Sequence, residues 1–203
     1  VNGVNVADTF FRDQERWDSM GMEHSLMTSG DRIVRYFVYQ KFQLFLPNNQ
    51  IDSFHCVEYG TVDAMAEAEE ATDVCVPYGY SYQPEFVYDN ESQTYLRYEY
   101  GEPHIDGTDQ SQLAFTNLLI LSCQHTNLGD EKGHIDVVTE GSGDGYYVSM
   151  GKYMPIHWEK KTVDAVLELT TEDGAVLQMN CGKTFVEIVS DTVFRTLEMD
   201  ITD

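Results

Sequence analysis

The sequence predicts an α+β chain, with a mostly antiparallel, β-rich C-terminal domain behind an α/β N-terminal portion. Three observations carry this. The C-terminal half consists of short runs rich in Val, Ile, Tyr, Phe and Thr, at 145–149, 153–159, 165–170, 175–180 and 184–189. Such residues suit a pleated, half-buried surface. The runs are separated by turn pairs, Gly151-Lys152 and Asp173-Gly174 among them. Asp-Gly between alternating runs signals a hairpin, because a type I′ turn needs positive φ at both central residues. Helical spacing, in contrast, is clearest near the N-terminus, at Ile33, Val34 and Phe37. The C-terminal half therefore reads as an antiparallel meander.

In chain order, Ser29 or Asp31 is a suitable N-cap, and a helix is expected over about 31–40, ended by the β-prone FQLFLP and Pro47. PNNQIDSFH reads as a turn. VDAMAEAEEATD is rich in helix formers, yet Val62, Ala64, Ala66 and Ala68 alternate at period two. It is read as a short acidic helix or linker closing a first portion, 1–72. From Asp73 the pattern is β: DVCVPYGYS, then PEFVYDNESQTYLRYEYGEPHID with turns at Asp89-Asn90 and Gly101-Glu102-Pro103. The apolar run 114–123 is the expected central strand, and HIDVVT (134–139) follows a polar loop. The β-rich domain is placed at 73–190, with a tail at 191–203.

Composition narrows the function. The 203 residues are 42% hydrophobic and 12% aromatic, a globular balance. Net charge is −23, from 12 Lys+Arg against 35 Asp+Glu, with no Lys or Arg between Lys41 and Arg97 or between Arg97 and Lys132. Phosphate neutralisation needs clustered bases, so nucleic acid and anionic membrane surfaces are excluded as partners. The acidity reads as a solubilising surface, or as attraction for a cationic partner or calcium. No apolar run reaches the length of a membrane-spanning helix. The opening VNGVNVADTFF has neither the basic nor the apolar region of a signal peptide, and the chain is read as starting within a longer protein. Cys56, Cys75, Cys123 and Cys181 form no C-x-x-C pair. They are read as small buried hydrophobes, and any disulfide pairing stays open among three.

A family resemblance runs through these residues. GSGDGYYVSMGKYMPIHWEKK, followed by NCGKTFVEIV, resembles the C-terminal domain of the YerB-like bacterial lipoproteins. There a GSG-x-G-aromatic turn, a G-K…W-x-K strand and an N-P-G-x-T-W strand recur. Phe86, Tyr88, Asp89, Tyr95, Arg97, Gly101, Asp106 and Asn117 to Ile120 continue the match. A weaker arm covers Phe11, Arg12, Asp13, His24, Leu26, Thr28 and Ser29, with Ser25 replacing the family's Asn. Cys181 stands where the family has Pro, and Phe185 where it has Trp. The resemblance implies an exported, lipid-anchored protein of a Gram-positive-type bacterium, extracytoplasmic and held at the cell surface through an anchor outside this chain. The family's domains are of unknown function.

The candidate sites are few. Gly141-Ser142-Gly143-Asp144-Gly145 fits neither a dinucleotide loop, which must open a helix, nor a nucleophile elbow; it reads as a tight β-turn. Tyr146, Tyr147 and Trp158, with Gly143, form the expected ligand-binding set, because exposed aromatics stack on sugars or hold peptides. The alternative is that they face the core. His134 and Asp136 share a strand face and, with His125, would make a two-His, one-carboxylate metal site. His24, with Arg12 and Asp13, is the candidate catalytic set, or else stabilises a turn. No cofactor is expected. Asp89-Asn90-Glu91 and Asp106 to Asp109 raise calcium, although position six of each lacks the glycine of an EF-hand loop. The preferred reading is a non-catalytic envelope module that binds wall polymer or a partner protein. The second is an envelope hydrolase or metal-dependent enzyme using His24.

Overall fold

The computed structural model describes residues 8–42, 54–62, 65–79 and 81–199. The chain divides into two compact units, Val1–Ile51 and Asp52–Asp203. The first pairs strands Phe11–Arg12 and Leu26–Met27 antiparallel. Between them lies helix Gln14–Met20, capped by Asp13, whose Oδ1 accepts from Arg16 N at 2.9 Å. Helix Gly30–Gln40 follows its Ser29 cap and ends at Lys41, which takes the left-handed conformation at φ 57°. This is the helix expected at 31–40, one residue longer. The PNNQI turn and Pro47 lie outside the described residues.

In the second unit, the Asn117–Cys123 strand is buried at every position, as the apolar run Leu118–Leu121 at its centre demands. It pairs antiparallel with Gly141–Ser149 and parallel with Thr184–Ser190. Lys152–Lys160 and Glu168–Thr171 extend the sheet antiparallel on one side, and Glu69–Glu70 also joins Lys152–Lys160. One face carries Leu119, Leu121, Tyr147, Ile156 and Trp158, packed with Val62, Met65, Leu177 and Met179. The other carries Leu118, Ile120, Val148 and Val189, packed with Val74, Val76, Phe86 and Tyr95. Those last four belong to or adjoin a second sheet, in which Asp73–Cys75, Glu85–Asp89 and Thr94–Glu99 pair in order.

Three expectations are corrected. The meander stops at Leu177, after Val176 bridges antiparallel to Thr170. Gln178–Asn180 leaves to pair in parallel with His55–Val57, and Thr184–Ser190 crosses to the far side of Asn117–Cys123. Gly182 makes that turn possible: at φ 154° a Cβ there would lie 2.0 Å from Thr116 Oγ1. The acidic 62–73 stretch forms no α-helix in its described part, where only Met65 is in a 3-10 turn. Val62 and Met65 are buried in the core and Glu69–Glu70 is a strand, so the stretch belongs to the second unit. Nor do the described residues of the expected tail, 191–199, stand apart from the domain. After the short helix Asp191–Phe194, Leu197 and Met199 pack on the core and Glu198 bridges to Cys75.

Candidate functional site

The ladder between Asn117–Cys123 and Gly141–Ser149 opens at one end. Its last register pair is Leu121 with Gly145, and pairing resumes where Val138 N donates to Gln124 O at 3.0 Å. Between those points one strand has Ser122 and Cys123, while the other runs from Thr139 to Asp144. So large a mismatch forces the longer segment out of the sheet, as a bulge does on a smaller scale. Gly141–Asp144 remain paired with His157–Lys160 on their other side. Alternate backbone groups of a strand point to opposite sides, so part of this segment's backbone faces the gap. The gap is a pocket of about 440 Å³, bordered by Ser122, Gly141–Asp144, Trp158, Asp191, Phe194 and Arg195.

Gly143 and Trp158 are cross-strand partners. A Cβ on Gly143 would lie 2.7 Å from Trp158 Nε1 and 2.8 Å from Ser122 O. The indole therefore lies across the glycine, as aromatics cover glycine in other sheets, and its Nε1 donates to Ser122 O at 3.0 Å. Ser122 Oγ donates to Asp191 Oδ1 at 2.7 Å, which ties the pocket wall to the start of the last helix. Asp144 Oδ1 lies 2.8 Å from His157 Nδ1 across the strands. Glu140, Asp144 and Asp191 face one base, Arg195, so the rim is net acidic.

At the other end of this strand pair, where Asn117 lies opposite Ser149, a buried polar network holds the sheet. Tyr147 Oη donates to Asn117 Oδ1 at 2.8 Å and accepts from Asn180 N at 2.9 Å. Ser149 Oγ donates to Asn117 Oδ1 at 3.0 Å and accepts from Asn180 Nδ2 at 2.9 Å. Asn117 Nδ2 donates to Asn180 O at 2.8 Å. A second polar cluster lies on the opposite sheet face. Tyr78 Oη donates to Glu187 Oε2, and Arg97 meets Glu99 at 3.3 Å, Tyr82 Oη at 3.2 Å and His104 Nδ1. Burial pushes the Glu187 carboxyl above its usual range, against the lowering effects of Tyr78 and Arg97.

The model described as "Protein of unknown function (DUF3048) C-terminal domain" matches residues 74–186. The chain belongs to this family. Among solved structures it is similar to the YerB protein from Bacillus subtilis, with a TM-score of 0.75 and 23% identity, covering 99% of this chain and 63% of that one. At that identity the likeness is one of fold, and the chain spans less than two thirds of that protein's length. No curated protein matches the chain.

Within the DUF3048 fold the expected ligand-binding set divides. Gly143 and Trp158 border the pocket, Trp158 by the edge of a ring that is only 4% exposed. Tyr147 is fully buried and held at its hydroxyl, so it cannot stack on a ligand. Tyr146 stacks on Phe194 at 4.7 Å and borders a separate groove of about 800 Å³ with Tyr153. The aromatic platform expected on one surface is thus dispersed, because residues 146 and 147 of a strand face opposite ways.

The other sets are not brought together as metal or catalytic centres. In the hairpin of His125–Asn127 with Ile135–Val137, His125 lies opposite Val137 and Asp136 opposite Thr126. His125 and Asp136 are therefore on different faces, and the two-His site is not formed. His134 meets Asp130 instead. Among the described residues no three His, Cys, Asp or Glu side chains are grouped to hold a metal. Arg12 donates to Met22 O and to Ser25 Oγ, the latter at 3.2 Å. Asp13 caps a helix, and His24 is exposed in a 3-10 turn. Arg12 and Asp13 are engaged in holding the local turn. Asp89 and Asp109, raised for calcium, accept hydrogen bonds from the backbone N–H of Ser92 and Ser111 at 2.9 Å each. Sequence reasoning missed Ser122 and Asp191. Ser122 was visible as the polar residue within LLILSC, while Asp191 carried no signal because the chain after 190 was read as a tail.

Proposed function

We propose that this chain is a non-catalytic binding module of the cell envelope, and that the pocket beside Gly141–Asp144 takes a short segment of wall polymer. One observation carries the reading: the opened ladder, in which backbone hydrogen-bonding groups face a pocket of about 440 Å³. Backbone groups at an interrupted strand recognise extended chains, and alternate side chains add selectivity. The three carboxylates against one Arg195 favour a neutral or cationic segment, such as an amino sugar or a free peptide amine, over a phosphate-rich polymer. The envelope setting rests on the sequence resemblance to exported lipoproteins.

Nuclear magnetic resonance titration with soluble disaccharide-peptide fragments of bacterial wall tests this. Shifts are expected at the Trp158 indole N–H and at the Gly141 and Ser142 amides. The proposal fails if the fragments shift no resonance, or shift only those around Tyr146 and Tyr153; a partner protein would then be sought.

A further inference from the structure

The four cysteines fall into two kinds. Cys75 and Cys123 are buried. Burial and nearby carboxylates push the Cys75 thiol up to about 11, and burial also raises Cys123. A thiol held protonated and out of solvent is a poor nucleophile. Cys56 and Cys181 are exposed, and the fold brings them together from distant parts of the sequence. His55–Val57 and Gln178–Asn180 run parallel, with Cys56 beside Met179 and Val57 beside Asn180. The pairing continues one step further, where Cys181 N donates to Val57 O at 2.8 Å. Residues two apart on a strand share a face, so Cys181 lies on the face of Met179 and Cys56. The two thiols are therefore neighbours across the parallel pair, close enough for Cys181 to act on Cys56.

We propose that Cys56 and Cys181 are a disulfide-forming pair that staples the 55–57 strand to the 178–181 segment. With a small-molecule disulfide as oxidant, the Cys56 thiolate attacks one sulfur of the oxidant and releases one thiol. The Cys181 thiolate then displaces the second thiol from the mixed disulfide. The two protein thiols lose two electrons and two protons, and the two released thiols take them up. The bond encloses all of the second sheet and most of the central one, a long loop whose closure restricts the unfolded chain strongly. It also anchors the strand that opens the described part of the second unit. This inference is independent of the pocket and its ligand. Partial burial and the neighbouring thiol push Cys56 above its ordinary range, so the reaction should quicken as pH rises.

The whole chain is incubated with oxidised glutathione at mildly alkaline pH. It is then alkylated and digested without reductant for mass spectrometry. The expected product joins the Cys56 and Cys181 peptides, with Cys75 and Cys123 alkylated only after unfolding. The thermal midpoint should rise by about 10 °C over the reduced protein. Cys56→Ser and Cys181→Ser should each abolish that rise while unfolding like the reduced wild type. Four free thiols after oxidation, a bond through Cys75 or Cys123, or only glutathione adducts and linked dimers would each overturn the proposal.

Discussion

Replacing Gly143 by alanine tests the packing that shapes the pocket. The backbone there needs no positive φ, so the substitution acts through space alone. The added methyl would stand 2.7 Å from Trp158 Nε1, 2.8 Å from Ser122 O and 3.0 Å from Trp158 Cε2. Two of these are atoms of a rigid indole and the third is backbone, so none can yield as a flexible chain end would. Overpacking of this kind costs about 1–3 kcal/mol. Displacing the indole also breaks its hydrogen bond to Ser122 O, worth about 1 kcal/mol. The sum is about 2–4 kcal/mol, or a fall in thermal midpoint of about 4–16 °C for a chain of this size. Urea unfolding followed by tryptophan emission in a Trp17→Phe background would report Trp158 alone. The native emission should shift to the red as the ring is pushed toward solvent. Gly107→Ala, with nothing within 4 Å and no positive φ, serves as the neutral control. If Gly143→Ala matched that control in both stability and emission, the described approach of Trp158 across Gly143 would be wrong.

Further outcomes follow from the polar networks. Tyr147→Phe deprives Asn117 Oδ1 of a donor and Asn180 N of its acceptor in a buried setting; denaturant melts should show a loss of about 1–3 kcal/mol. The burial of Glu187 raises its carboxyl above the ordinary value, so the folded state holds its proton to higher pH than the unfolded state does. Its effect on stability is therefore favourable in relative terms below the unfolded value and declines as pH rises through the raised one. Glu187→Gln keeps an acceptor for Tyr78 and removes that decline, so the stability difference between variant and wild type should move toward the variant from pH 4 to pH 8 in urea melts. A difference that stays flat, or moves the other way, would refute the assigned direction. Asp13→Ala removes a helix cap and should cost the N-terminal unit about 1 kcal/mol, read by hydrogen exchange over 14–20.

The sequence was most legible where one physical cause acted alone. Asn117–Cys123 is apolar at nearly every position and is the buried central strand. Of the two expected caps, Ser29 and Asp31, it is Ser29 that caps the helix. The Asp173-Gly174 hairpin turn is present, with Thr171 N bonded to Ala175 O at 2.9 Å, but it is not the type I′ turn, because Gly174 has φ 83° and Asp173 has no positive φ. Legibility failed where long-range pairing decided the outcome. Nothing local distinguishes a fifth meander strand from the parallel crossover made by Thr184–Ser190, because both need the same alternating Phe, Val and Ile. The acidic stretch after Val62 has helix-forming residues, but Val62 and Met65 enter the core, Ala66 stays exposed, and Glu69–Glu70 pairs as a strand. At the candidate site, Gly143 and Trp158 were singled out as ligand contacts, although their nearest role is with each other. Ser122 stands out as a polar residue in an apolar run, but its place beside Asp191 is not legible, because the pocket comes from a mismatch between two strand lengths, which no single segment encodes.

Co-sedimentation with purified wall sacculi, at low and high salt, tests the proposed binding role most directly. Wild type should pellet at both salt concentrations. Ser142→Trp, which places a large ring in the pocket from an exposed position, should leave folding intact and stay in the supernatant. Wild type remaining in solution, or both proteins pelleting alike, would contradict the assignment of wall binding to this pocket.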